Sequence, residues 1–216
     1  SVSAFLLNRS SDLEIAARVT STVKPIDDKI WGVIAGNVDL IDDMAYRAIA
    51  SKNTVKILFR EHVVLNEGKL SKKFDFIMFY GNSRKIDEFG RISTSKGGAS
   101  IKISHYYIDE ESNLMVFVAP DDTIRDVVSI IEKSRIPFAI LQESQTTGFI
   151  DIEINDNVKL PGFIKSALKP FYNANEVVLS TILISVENDK DVEKVQSIAT
   201  SNKIFVIDFK DIITED

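Results

Sequence analysis

The sequence of 216 residues contains no cysteine, which excludes disulfides, thiolate metal sites and cysteine nucleophiles. It also lacks any apolar run near the roughly 18 residues that cross a bilayer. The first seven residues have an apolar patch, but not the basic region that begins a secretory signal. Because these absences are typical of a reducing compartment, we expect a cytoplasmic protein with no membrane partner.

Common catalytic and nucleotide-binding signatures are missing as well. The sequence has no Gly-x-Ser-x-Gly elbow, no Gly-x-Gly-x-x-Gly fingerprint and no His-Glu-x-x-His pair. Its two histidines, His62 and His105, are far apart in the chain, so their spacing predicts no metal site. The motifs therefore leave open whether the chain is an enzyme.

Charge is distributed unevenly along the chain. The formal net charge is −6, which argues against a protein that coats nucleic acid with its whole surface. Between Lys69 and Lys102, however, there are eight basic residues and only three acidic ones. Residues 103–216 carry ten basic and twenty acidic residues. A local binding site for a polyanion is thus compatible with the acidic total.

The first part of the sequence alternates between strand and helix patterns. Residues 30–35 form a continuous apolar run of the kind found in buried parallel strands. Helical spacing follows in residues 40–49, and residues 55–59 predict the next strand. A strand at residues 2–7 and a helix capped by Ser11 are predicted before them. This rhythm favours an α/β fold with a mainly parallel, Rossmann-like sheet flanked by helices.

The middle of the sequence is richer in strands. Residues 74–80, 100–107 and 114–119 each predict a strand, and polar residues 109–113 predict the turn of an antiparallel hairpin. The last third returns to alternation, and we find no internal repeat. The sequence therefore predicts one α/β domain over residues 1–216 with a β-rich insertion at about 69–119. The alternative is two units, 1–145 and 146–216, divided near the predicted turn at residues 146–148.

The strongest functional signal is the basic segment at residues 82–98. Its glycines, hydroxyl groups and cations, with few apolar anchors, predict a long loop whose side chains and backbone N–H groups bind phosphate oxygens. The predicted anion- or nucleic-acid-binding residues are the cations in this loop and just before it: Lys72, Lys73, Arg84, Lys85, Arg91 and Lys96. The alternative is that these cations form a solvated face or pair with the acidic half of the chain.

Aromatic residues near the basic segment would support nucleic-acid binding if their rings are exposed. Phe74, Phe76, Phe79, Tyr80 and Phe89 would stack on bases if their rings face outward. The alternative is that Phe74, Phe76 and Phe79 face inward as core residues of a strand. The two arrangements predict opposite burial for these rings.

A second candidate site is the turn after the strand at residues 30–35. In a doubly wound sheet, ligands bind where a strand ends and a helix begins. Gly36, Asn37 and Asp39 occupy that position. The alternative is that Gly36 and Asn37 form the turn and Asp39 caps the helix.

Three further residues are weak catalytic candidates. Glu187 follows an apolar strand and Asp208 lies on the next one, so their carboxylates would hold Mg²⁺ for phosphodiester cleavage if they meet. His62 would serve the same chemistry if it lies close by. The simpler alternative for both acids is a solvated position at a strand end.

Three classes of function therefore remain. The first is a regulatory or accessory module that binds a nucleotide or nucleic acid through the basic loop. The second is a metal-dependent phosphodiesterase or nuclease that uses Mg²⁺. The third is a non-catalytic interaction subunit of a homo-oligomer or of a complex with another protein, for which charge asymmetry is also suited.

Overall fold

The computed structural model describes residues 28–104, 113–155, 159–172 and 175–213. The first half contains six elements: β1 (Lys29–Gly36), α1 (Val38–Ala50), β2 (Val55–Glu67), β3 (Leu70–Asn82), α2 (Ser83–Ser95) and β4 (Ala99–Ile103). The second half contains eight: β5 (Asn113–Pro120), α3 (Asp121–Lys133), β6 (Phe138–Ile154), α4 (Gly162–Tyr172), β7 (Asn175–Val186), α5 (Asp189–Ser201), β8 (Phe205–Asp208) and α6 (Phe209–Ile213). The strand and helix predicted before residue 28, His105 and the predicted hairpin turn lie outside the described residues.

Every strand pairing among the described residues is antiparallel. The prediction of a mainly parallel, Rossmann-like sheet was therefore wrong. The reason is visible in the first half, where β3 lies between β1 and β2 and pairs antiparallel with both. The strand–helix–strand crossover from β1 to β2 is present, but a third strand occupies the gap that a parallel pair would fill. The alternation of predicted strands and helices along the sequence gives no sign of a strand inserted between β1 and β2.

The two halves have the same topology. The spatial order is β4-β1-β3-β2 in the first unit and β8-β5-β7-β6 in the second, so each is a βαββαβ unit of ferredoxin-like topology. The sequence analysis found no repeat because the two units share burial positions rather than residues. In α1 and α3 these positions are separated by one constant offset in residue number: Ile41, Met44 and Ala48 match Ile124, Val127 and Ile131.

The match extends through the rest of each unit. β2 and β6 have register shifts at the same place, next to Leu58 and Leu141, and the offset between these two residues equals the one between α1 and α3. The buried Phe89 and Ser93 of α2 match Val195 and Ala199 of α5 at a larger offset. The offset grows because the second unit has a longer connection between its middle strands, which contains α4.

The two sheets pack face to face, and the helices cover their outer faces. One apolar cluster combines side chains from strands of both sheets, among them Trp31, Phe76, Val116 and Leu183. A second cluster packs α1 and α2 on the first sheet, and a third packs α3 and α5 on the second. Both faces of both sheets are therefore largely closed to a ligand.

Strand β6 joins the two sheets. Its residues 138–150 pair with β7 in the second sheet, and its residues 151–154 pair with the start of β3 in the first. It also passes the edge of β4, where the backbone N–H of Ser100 donates to Ser144 Oγ at 3.2 Å. The turn predicted at residues 146–148 was wrong, because these residues continue the 17-residue strand.

No helix among the described residues is long and apolar enough to cross a membrane. The domain division, whether one domain with an insertion or two units parted after residue 145, stays a prediction. The two sheets share a core, and β6 pairs with both of them.

Candidate anion-binding groove

The basic segment is a helix rather than the predicted long loop. Asn82 caps α2, since its side-chain oxygen accepts a hydrogen bond from the backbone N–H of Lys85 at 3.2 Å. Ile86, Phe89 and Ser93 recur at spacings of three and four and are buried. The segment has few apolar residues, but their helical spacing places them on one face. Burial of that face makes the segment a helix.

Three of the six predicted anion-binding cations have acidic partners. Lys73 pairs with Glu153, Lys85 with Glu88, and Lys96 with Asp43. Lys72 lies on β3 beside Lys73, so its side chain is directed to the opposite face of the strand. Arg84 and Arg91 are exposed, and neither forms an ion pair within the part of the chain that the structure describes.

The aromatic rings near these cations do not form a stacking surface. Phe74, Phe76, Phe79 and Phe89 are buried at 3 % exposure or less, and Tyr80 packs against Trp31 with ring centroids 4.9 Å apart. The alternative that Phe74, Phe76 and Phe79 are core residues of a strand is confirmed. These three buried rings have no face free to stack on a base.

A groove opens beside α2 where the two units meet. Its volume is about 510 Å³, within the range of small-molecule sites. Helix α2 provides one wall with Arg91, Thr94 and Ser95, and β4 provides Ser100 and Lys102. The third wall is Gln142 and Glu143 of β6, which belongs to the second unit.

The groove has one cation without an acidic partner among the described residues. Lys102 pairs with Asp87, which also lines the groove. Glu143 accepts a hydrogen bond from Gln145 at 2.7 Å. Thr94 and Ser95 already donate their hydroxyl hydrogens to the backbone carbonyls of Gly90 and Ile92. Arg91, which has no ion-pair partner among the described residues, and the hydroxyl of Ser100 are therefore the groups placed to donate to an anion with several oxygens.

The predicted ligand turn is closed by packing. Asn37 caps α1, since its Oδ1 accepts from the backbone N–H of Leu40 at 2.8 Å. The Leu40 side chain fills the adjacent space, and a Cβ atom added to Gly36 would lie 2.7 Å from its Cδ2 atom. Asp39 is exposed in the first turn of α1. No described pocket includes Gly36, Asn37 or Asp39, and their role in ligand contact stays a prediction.

His62 belongs to a charged network that the sequence analysis missed. The carboxylate of buried Asp75 contacts His62 Nδ1 at 2.5 Å and accepts from Arg60 Nε and Nη2 at 3.0 and 2.7 Å. Arg60 Nη1 also donates to Asp42 on α1 at 2.6 Å. Burial lowers the pKa of Arg60, but its hydrogen bonds to Asp75 and Asp42 outweigh this and hold that pKa above its ordinary value. The network therefore fastens α1 to the β2–β3 hairpin.

The two acidic catalytic candidates do not meet. Asp208 is opposite Met115 on one side of β5, whereas Glu187 follows β7 on the other side. Neighbours on either side of one strand are about 10 Å apart. Asp208 instead accepts hydrogen bonds from Gln196 Nε2 and the backbone N–H of Lys210. Among the described residues, no group of three or more acidic or histidine side chains is placed to hold a metal ion.

Asp43 provides a test of the contacts between α1 and α2. Its carboxylate accepts from Lys96 Nζ at 2.8 Å and Arg47 Nε at 3.1 Å, and the hydrogen bond from Lys96 is the chief reason that the pKa of Asp43 lies below its ordinary value. Such a lowered pKa stabilises the fold above the ordinary carboxyl pKa, and this contribution is lost as the pH falls through the folded-state value. In Lys96→Ala we expect the pKa of Asp43 to rise, as measured by NMR titration of its side-chain carboxyl carbon.

Lys85→Ala is the control for that titration. Lys85 is a cation of the same helix that pairs with Glu88 rather than with Asp43. The titration of Asp43 should therefore be unchanged in this variant. An equal shift in both variants would show that general charge, rather than the contact with Lys96, sets the pKa.

Comparisons with known proteins leave the family open. No family model and no curated protein matches the chain. Similar solved structures include an unknown protein from Galdieria sulphuraria, with 12% identity over 84% of this chain and 96% of that one and a TM-score of 0.29. A protein from Bacteroides thetaiotaomicron has 9% identity over 83% and 91% of the two chains and a TM-score of 0.27. A protein provisionally described as a glycine cleavage system transcriptional repressor has 11% identity over 83% and 94%, with a TM-score of 0.24. Since all three TM-scores are below 0.5, we infer function from this chain's own residues.

Proposed function

We propose that the protein is a non-catalytic regulatory or accessory module that binds a phosphate-bearing nucleotide in the groove between α2, β4 and β6. The observation that carries the proposal is Arg91, a cation without an acidic partner among the described residues, set beside the hydroxyl of Ser100 in a groove of ligand size. A cytoplasmic location is part of the proposal, in keeping with the absence of cysteine.

The position of the groove suggests how binding would regulate. Two of its walls come from the first βαββαβ unit and the third from β6 of the second unit. A ligand that contacts all three walls binds the packed arrangement of the units more tightly than a separated one. Binding therefore stabilises that arrangement in proportion to the ligand's occupancy.

Arg84 is placed to bind a second phosphate group, so the proposal includes binding of nucleic acid. It lies seven residues before Arg91 on α2, about two turns or 10 Å along the same face. A second phosphate of an oligonucleotide would reach Arg84, whereas a mononucleotide in the groove would contact Arg91 alone. The two sources of phosphate are therefore separable by mutation.

The test is a binding titration at low salt with AMP, ATP and a fluorescent single-stranded oligonucleotide of about ten nucleotides. We expect Arg91→Ala to weaken nucleotide binding about tenfold or more, the cost of losing a charge-assisted hydrogen bond. Arg84→Ala should affect the oligonucleotide alone. Salt should weaken oligonucleotide binding more than mononucleotide binding, because more counterions are released.

Lys85→Ala is the matched control, since Lys85 is on the same helix but is paired with Glu88 and does not line the groove. Its binding should equal that of the wild type. Absence of binding by both ligand types at low salt would refute the proposal. Binding that Arg91→Ala leaves unchanged would remove the groove as its site.

The metal-dependent phosphodiesterase has less support. Glu187 and Asp208 lie on opposite sides of β5, and His62 contacts Asp75 in the other unit. Its Mg²⁺ would thus have no group of three acidic or histidine ligands within the described residues.

A further inference from the structure

Helix α1 exposes two large apolar side chains on its outer face. Tyr46 is 72% exposed and Ile49 is 73% exposed. They lie three residues apart and are therefore neighbours on the helix surface. Ala50 is exposed beside them. The two side chains and Ala50 form a small apolar patch in the middle of an otherwise polar helix face.

The second unit shows that the fold does not require this patch. Helix α3 buries the residues that match those buried in α1, at a constant offset in residue number. At the same offset, Ser129 replaces Tyr46 and Glu132 replaces Ile49. The outer face of a helix in this position is thus polar in one unit and apolar in the other. The apolar residues of α1 are consequently free to serve a partner.

A groove beside the patch offers room for a partner's side chain. It lies between α1 and α2 and has a volume of about 350 Å³. Tyr46, Ala50 and Phe89 give it apolar lining, and its polar lining comes from Asp43, Arg47, Ser51, Lys85 and Glu88. An apolar side chain from a docked helix would therefore be enclosed on two sides.

Charges at the two ends of the outer face are of opposite sign. Asp39 is seven residues before Tyr46 in the first turn of α1, and Lys52 is six residues after it, in the turn just past the C-cap Ser51. Both are exposed, and neither forms an ion pair among residues 28–104 or the other described ranges. A two-fold axis near Tyr46 brings Asp39 of one copy toward Lys52 of the other, and does so twice. The face is therefore complementary to itself, as an isologous contact requires.

We propose that a second copy of this chain docks on the outer face of α1. The two α1 helices cross antiparallel, with Tyr46 near the two-fold axis and Ile49 against the groove of the other copy. Asp39 and Lys52 pair across the interface at both ends. Helix α3 stays in solvent, because its corresponding residues are Ser129 and Glu132.

Sedimentation equilibrium of the full chain at about 100 µM is the first test, since an interface with a Kd of micromolar order is saturated there. We expect a dimer, and we expect Tyr46→Glu combined with Ile49→Glu to be a folded monomer by circular dichroism. Phe163→Glu is the control, because Phe163 is 76% exposed on α4, away from this face. That variant should remain a dimer.

A charge exchange gives the second test. Asp39→Lys and Lys52→Asp should each weaken dimerisation about tenfold, because each places like charges together at both ends. The double variant restores opposite charges and should regain most of the wild-type affinity. A wild-type chain that is monomeric would overturn the proposal and leave the face to a different partner. A double variant weaker than both single variants would exclude this geometry.

Discussion

Gly148→Ala is expected to lower the free energy of unfolding by about 2–3 kcal/mol, the cost of forcing an atom into a closed site. A Cβ atom added to Gly148 would lie 2.1 Å from the carbonyl oxygen of Gly97. The obstacle is backbone rather than a flexible side chain. Gly148 is held by pairing with Val177 in β7, and Gly97 has a φ of 82° in the turn between α2 and β4. Neither chain segment can yield without losing its own hydrogen bonds.

Gly162→Ala is the matched control for that substitution. No heavy atom lies within 4 Å of a Cβ atom added to Gly162, which begins α4. Because alanine favours a helix, this variant should be neutral or more stable by up to about 1 kcal/mol. Urea denaturation followed by circular dichroism measures both. A Gly148→Ala variant whose stability equals that of the wild type would show that β6 does not closely approach the turn before β4.

The close approach at Gly148 belongs to the part of the fold that the sequence did not predict. Residues 146–148 contain two threonines and a glycine, which are common in turns, and their pattern was interpreted as one. In the structure they are strand residues, and glycine is present because another backbone approaches. Local composition is the same in both cases, so only the tertiary contact distinguishes them.

Elements with a strong apolar pattern were predictable. The strand at residues 30–35 lies within β1, and residues 40–49 lie within α1, because apolar side chains at strand or helix spacing must face a core. The order of strands was not predictable in the same way. The insertion of β3 between β1 and β2 depends on which edges meet in space, and a hydrophobic pattern carries no such information.

The structure of the basic segment and its ion pairs were likewise not predicted from the sequence. Its glycine, hydroxyl groups and cations are typical of a loop, and the prediction was based on them. The signal for α2 was the helical spacing of Ile86, Phe89 and Ser93. The ion pairs of Lys73 with Glu153 and Lys96 with Asp43 join residues that are 80 and 53 positions apart. Such pairings follow from the fold, so the sequence could identify the cations but not which of them would stay unpaired.

One feature of the charged network was accessible from the sequence. Gly68 adopts a positive φ of 57° at the turn between β2 and β3, and a hairpin centred next to it places His62 opposite Asp75. Recognition of Gly68-Lys69 as a two-residue turn would therefore have predicted the contact between His62 and Asp75. Arg60 and Asp42 would still have been missed, because their contact depends on how α1 packs over the hairpin.

Arg60→Met is expected to lower the free energy of unfolding by about 2–3 kcal/mol. Asp75 is almost fully buried, and among the described residues its carboxylate would keep only the contact with His62 Nδ1. Removal of one partner from a buried pair is costly because the remaining charge is left without compensation. The cost is below that of a fully buried pair, since the Arg60 side chain is about one third exposed. Methionine keeps the apolar stem, so the loss reports on the charge.

The double variant Arg60→Met with Asp75→Leu separates the charge from the packing. If the cost of Arg60→Met arises from the abandoned carboxylate, removal of that carboxylate should recover most of the lost stability. Lys85→Ala, which removes an exposed pair with Glu88 on α2, should change stability by no more than about 0.5 kcal/mol. Urea denaturation of the wild type, the two Arg60 variants and Lys85→Ala measures these differences in stability. A double variant less stable than Arg60→Met would show that the unpaired carboxylate is not the cause of the loss. Asp75 would then stabilise the hairpin through its contact with His62, and the wild-type Arg60 would stabilise α1 through its contact with Asp42.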